Sequence, residues 1–169
     1  RVGHLHKGDR MGHIGGQLAD DCKRYRLTRA SATTPWAEVS GQFDIGKDAP
    51  FALSGQFDAA RRDPVPISAH LELTGELAAL DFRLTAVAEG MNLFASGEAA
   101  PFAAVRLPRF VVAGEGIDPR QFAPDSPAAD LAFAGVFQGQ ADDRLFGSFS
   151  LNNRLAGRFD QHRLPLASL

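Results

Sequence analysis

The chain has 169 residues, 44% hydrophobic and 22% charged, the balance of an ordinary folded domain, which excludes intrinsic disorder and leaves little room for a second large domain. Eighteen basic against twenty acidic residues give a formal charge of −2, so the chain carries no electrostatic footprint for nucleic acid. No apolar run approaches the roughly twenty residues that a membrane-spanning helix needs, and the single cysteine, Cys22, cannot form an internal disulfide.

In chain order, the stretch from Gly3 to Gly16 is rich in Gly and His and reads as a frayed strand. His4, His6 and His13 with Asp9 have a spacing that puts imidazoles on one strand face, but a Gly- and His-rich surface loop is the commoner use of such residues, and no metal is expected. Lys23, Arg24, Arg26 and Arg29 form a basic patch suited either to acidic headgroups or an acidic partner, or to a solvated sheet edge that resists aggregation. From there, alternation with a period of two dominates. Strands are expected at Tyr25 to Thr33, Pro35 to Ile45, Phe51 to Asp58, Pro66 to Gly75, Leu80 to Glu89, Met91 to Ala99, Val105 to Val112, Asp130 to Gln138, Arg144 to Asn152 and Leu155 to Asp160. Short turns such as Gly46-Lys47-Asp48, Arg62-Asp63-Pro64, Glu89-Gly90, Asp142-Asp143 and Asn152-Asn153 favour sequential antiparallel pairing. The exception is Ile117 to Ala129, where Asp118 can cap one short helical turn with Pro119 as its first residue, before Pro124 and Pro127 stop it.

An internal repeat runs through this pattern. Ser40-Gly41-Gln42-Phe43-Asp44 recurs as Ser54-Gly55-Gln56-Phe57-Asp58, and Gly-x-Phe returns at Gly135 to Phe137, Gly147 to Phe149 and Gly157 to Phe159. Residues two apart share a strand face, so Gly and Phe fall together on the apolar one. A mid-strand glycine marks either a bend of the sheet or a place where something approaches closely. Thirteen Phe against one Tyr and one Trp reinforce the expectation of a large dry face, because Phe has no polar handle. Its members are expected to be Val39, Phe43, Ile45, Phe51, Leu53, Phe57, Ile67, Leu71, Leu73, Phe82, Leu84, Leu131, Phe133, Phe137, Phe149, Leu151 and Phe159, with Gln56, His70, Glu72, Arg83 and Gln138 turned to water.

Catalytic patterns are missing. There is no Gly-x-Ser-x-Gly elbow, Cys22 has no activating neighbour, and Gly114-Glu115-Gly116 lacks the third glycine of a dinucleotide loop and reads as a turn. The acidic pairs Asp20-Asp21 and Asp142-Asp143 suit turns better than a two-carboxylate site. The expectation is a non-enzymatic protein without cofactors. One reading is an open groove whose large dry face is left without a lid. The other is a structural or adhesive β-sandwich or solenoid whose apolar face packs on itself.

From about Val105 to the end, the run Gly147-Ser148-Phe149-Ser150-Leu151-Asn152-Asn153, then Gly157-Arg158-Phe159-Asp160 and Arg163-Leu164-Pro165-Leu166, resembles the repeating text of the TamB family of AsmA-like proteins. That family more often has Pro after the Asn, where this chain has Arg154, and its C-terminal end is not recognisable here, which fits an internal segment. The opening on Arg1 without a charged-then-apolar leader fits a piece of something longer. The resemblance implies one β-rich segment over residues 1–169, part of a long sheet curled into an open trough, polar outside and apolar inside. It implies a place in the periplasm of a Gram-negative cell, with the parent protein anchored in the inner membrane. It implies a TamA-like outer-membrane barrel of the BamA family as partner, and phospholipid or an unfolded barrel strand as cargo. Unpaired strands at the two ends of such a sheet invite self-association.

Overall fold

The computed structural model describes residues 14–62, 65–142 and 144–169. The histidine cluster and most of the expected frayed strand lie outside them. Ten strands follow one another: β1 (Ile14–Asp20), β2 (Arg24–Thr33), β3 (Glu38–Gly46), β4 (Ala52–Arg61), β5 (Ile67–Glu76), β6 (Ala79–Ala88), β7 (Met91–Ala99), β8 (Arg109–Ile117), β9 (Leu131–Gly139) and β10 (Leu145–Asn153). They form a single antiparallel sheet in sequence order, open at β1 and β10. The all-β open sheet expected from alternation is what the chain builds, and no second sheet exists among the described residues to close a sandwich over it.

Turn chemistry explains why neighbours pair. Asp21 folds the β1–β2 turn by accepting the Lys23 and Arg24 N–H groups at 2.8 and 2.7 Å. These backbone bonds, by stabilising the carboxylate, hold the Asp21 pKa below its ordinary value. Thr34 does the same ahead of β3, accepting from Trp36 and Ala37, so β3 starts at Glu38 rather than at Pro35. The two-residue connection Glu89-Gly90 works because Gly90 takes a φ of 73°. Asp118 caps a 3₁₀ turn at Pro119–Gln121 through the Arg120 N–H, as its sequence predicts.

Four expectations need correction. Leu155 to Asp160 is not a strand; Phe159–Gln161 is a second 3₁₀ turn, where one at most was expected. The eighth strand begins at Arg109, not Val105, because Ala100 to Pro108 fold into a turn closed by the Ala100 N–H to Arg106 O bond. Gly114-Glu115-Gly116 is no turn but the bulged end of β8, where a Cβ on Gly116 would fall 1.7 Å from Gly90 O. The basic patch does not guard an edge, since β1 covers β2, and Arg24 and Arg26 instead hold Asp44 at 3.2 and 2.8 Å.

The buried core is small and sits at one end of the sheet. Val65, Ala88 and Met91 are buried there against Ile67, Leu93 and Ile117. Leu80 is buried towards the opposite end of the sheet and Asn153 at the end of β10, while most other large side chains among the described residues are half-buried or exposed.

Candidate functional site: the apolar face of the sheet

Strand registers assemble the candidate surface. One row runs across all ten strands: Leu18, Leu27, Phe43, Gly55, Leu73, Phe82, Gly97, Phe110, Phe137 and Gly147. The next row crosses from Gly41 through Phe57, Leu71, Leu84, Ala95, Val112 and Gly135 to Phe149. A third carries Val39 at β3 and Phe133 and Leu151 at the far side. Ile45 and Leu53 pair at one end of the sheet, Ile67 lies at the other, and Leu131 follows in β9. All the expected members therefore share one face except two. Phe51 sits in the β3–β4 turn with a φ of 58°, outside the strand alternation, and Phe159 projects from the second 3₁₀ turn. Sequence reading missed Leu18, Leu27, Met91, Leu93, Phe110 and Val112; each obeys the same alternation and needed only the strand register.

Two bulges keep the face apolar. In β2 the apolar residues switch from odd positions (Tyr25, Leu27) to even ones (Ala30, Ala32), and an irregularity between Leu27 and Ala30, with Arg29 at a φ of 52°, absorbs the switch. In β8 the step from Gly114 to Ile117 does the same.

The repeat has a geometric reason. The two pentapeptides pair with each other, centred on Gln42 opposite Gln56, which sets Gly41 against Phe57 and Phe43 against Gly55. Gly-x-Phe in β9 and β10 pairs likewise, Gly135 with Phe149 and Phe137 with Gly147. Read antiparallel, Gly-x-Phe is its own complement. The glycines are covered by rings: a Cβ on Gly114 would lie 2.6 Å from Phe133 Cε1, and one on Gly135 2.5 Å from Phe137 Cε2. Ring stacks follow, Phe110 with Phe137 at 5.1 Å and Phe133 with Phe149 at 5.8 Å between centroids. What approaches these glycines in the structure is the chain's own phenylalanine.

Among the described residues no layer packs on this face. Leu84, near its middle, is 37% exposed and Phe149 48%.

The opposite face is polar, with Gln56, His70, Glu72, Arg83 and Gln138 on it as expected. A hollow of about 900 Å³ runs across the sheet from β2 to β8, lined by Gln42, Asp44, Glu72, Arg83, Glu98 and Arg109 and also by Phe43, Leu73, Phe82 and Phe110 of the first apolar row. The expected open trough with an apolar interior stands: along β4 Leu53, Gly55, Phe57 and Ala59 are half-buried or buried, while Ser54, Gln56, Asp58 and Ala60 on the polar face are exposed. On the same face His70 Nδ1 lies 2.7 Å from Asp58 Oδ1 and Nε2 3.6 Å from Glu72 Oε1. The Asp58 hydrogen bond, aided by Glu72, raises the His70 pKa.

Among the described residues no cluster of three His, Cys, Asp or Glu side chains is placed to hold a metal, and no helix is long and apolar enough to cross a membrane. No family model, curated protein or solved structure matches the chain.

Proposed function

We propose that this chain is a segment of a periplasmic TamB-like protein of the AsmA-like family, non-enzymatic, whose apolar face carries phospholipid acyl chains or a nascent β-strand between inner and outer membranes. A TamA-like barrel of the BamA family is the partner this reading implies. The observation that supports it is the apolar face continuous across the whole sheet, on which no second layer packs among the described residues. Contiguous exposed apolar surface of this extent marks an interaction site. Each buried acyl CH₂ contributes about 0.8 kcal/mol, and rows of similar Phe, Leu and Gly positions give cargo a succession of near-equal resting places. The surface offered is the apolar face. A self-packed sandwich would need a second sheet, and the described residues form one sheet.

The test is saturable binding of a fluorescent phospholipid by the purified chain, with Leu84→Asp and Arg83→Ser as variants. On an uncovered face the Leu84→Asp carboxylate keeps its hydration, so the variant folds by circular dichroism yet loses lipid binding, while Arg83→Ser retains it. Absence of saturable binding by the folded wild type sinks the reading, and so does equal loss in both variants.

A further inference from the structure

The polar face carries an array of side chains that the fold leaves unused. Each strand from β3 to β7 contributes one residue to each of two rows that run across the sheet. One row is Gln42, Gln56, Glu72, Arg83 and Ser96. The other is Asp44, Ser54, Thr74, Asp81 and Glu98, continued by Arg109 of β8. Both rows line the hollow of about 900 Å³. Opposite charges stand across from one another at Glu72 and Arg83 and at Glu98 and Arg109. Elsewhere such neighbours close into ion pairs, as Arg26 does on Asp44 and Arg154 on Asp130. Here they do not: among the described residues the side chains of Gln42, Gln56, Asp81, Arg83, Glu98 and Arg109 have no hydrogen-bond or ion-pair partner.

The spacing of the array selects what fits. The two rows lie two residues apart along each strand, about 7 Å, which leaves room for one polymer chain between them. Along a row the step is the strand spacing, about 4.8 Å. An extended polypeptide advances about 3.4 Å per residue and falls out of step, whereas one hexose unit of an extended β-1,4-linked glycan is close to the step, so that successive rings meet successive pairs of side chains. The charges nearly cancel, Glu72, Asp81 and Glu98 against Arg83 and Arg109, which suits neither a polyanion nor a polycation. Amides, carboxylates, hydroxyls and guanidiniums together supply donors and acceptors side by side, and a sugar hydroxyl is both.

We propose that the polar face from β3 to β8 binds an extended, uncharged oligosaccharide of β-1,4-linked hexoses, lying across the strands with about one ring per strand. The site uses the face opposite to the apolar rows and does not rest on lipid binding there.

The probe is cellohexaose, titrated into the purified chain by isothermal calorimetry. Isomaltohexaose, with the same glucose units on a longer and flexible α-1,6 repeat, and cellobiose, which reaches only two strands, are the ligand controls. Gln56→Ala and Asp81→Ala each remove an exposed side chain from one row, and Ser148→Ala alters the same face outside the hollow; circular dichroism checks that all three fold. The expected result is saturable binding of cellohexaose, weakened at least about fivefold by Gln56→Ala and by Asp81→Ala, as for loss of one hydrogen bond, and unchanged by Ser148→Ala. Isomaltohexaose and cellobiose should bind at least about tenfold more weakly. Absence of saturable binding by the folded wild type overturns the proposal. So does equal affinity for the two hexasaccharides, which would show that the strand spacing selects nothing, and so does unchanged binding in both Gln56→Ala and Asp81→Ala, which would place the sugar elsewhere.

Discussion

Gly114 shows how tightly single residues are matched on the apolar face. Its missing side chain leaves room for the Phe133 ring and for Leu93, both within 2.7 Å of where a Cβ would stand, with no backbone atom among the nearest contacts. Gly114→Ala should therefore destabilise by about 1–3 kcal/mol through overpacking, despite the better strand propensity of alanine. In a Phe133→Ala background the same substitution should cost little. A urea-unfolding double-mutant cycle checks this, and additive effects would show that ring and glycine are not coupled. Across the sheet, His70 should make stability depend on pH. Its folded pKa is raised, so its contribution is complete below the unfolded value of about 6.5 and is lost as pH rises through the higher folded value. The urea midpoint of the wild type should fall, relative to that of His70→Gln, between pH 6 and pH 8. A constant difference over that range would remove Asp58 as an energetic partner. The alternation that places His70 and Leu84 on opposite faces was legible in the residues themselves. That glycine and ring fill each other's space was not, because it depends on which strand positions stand opposite, and register is not written in one strand.

At the scale of elements, β10 is anchored at its C-terminal end by one buried amide. Asn153 is 5% exposed; its Oδ1 accepts the Asp130 and Leu155 N–H groups at 3.1 and 3.0 Å, and its Nδ2 donates to Leu164 O at 3.2 Å. One side chain thereby ties the start of β9, the end of β10 and the C-terminal segment together. Asn153→Leu leaves the Asp130 and Leu155 N–H groups without partners, at about 1–3 kcal/mol each where they stay dry, and leaves Leu164 O with the Gly157 N–H alone, so the C-terminal segment should detach before the sheet unfolds. Limited proteolysis should cleave the variant within residues 154–169 well before the wild type, and identical cleavage patterns would place the anchor elsewhere. In sequence, Asn152-Asn153 reads as a turn and nothing more. The residues that complete the site come from positions 130, 155 and 164, which alternation cannot bring together. The same limit explains Phe159: Gly157 to Phe159 repeats the spacing of a strand, but here Gly157 packs on Arg163, with Cβ room closed to 2.5 Å by Arg163 Cδ, and the chain turns instead of extending.

For the whole molecule, the strand order β1 through β10 followed from short turns and steady alternation, and the bulges in β2 and β8 are visible afterwards as changes of parity in the apolar residues. The sequential order has a further consequence. Among the ten strands each pairs with its neighbours in sequence, and each hairpin returns the chain to the side it left with the same face upward. Removing one hairpin joins two strands of unchanged direction and facing, whereas removing a single strand reverses the path of everything after it. The architecture is therefore modular in units of two strands: it can lengthen or shorten by duplication or loss of a hairpin while its apolar rows remain continuous, so that its span is an inherited variable and its surface chemistry a constant.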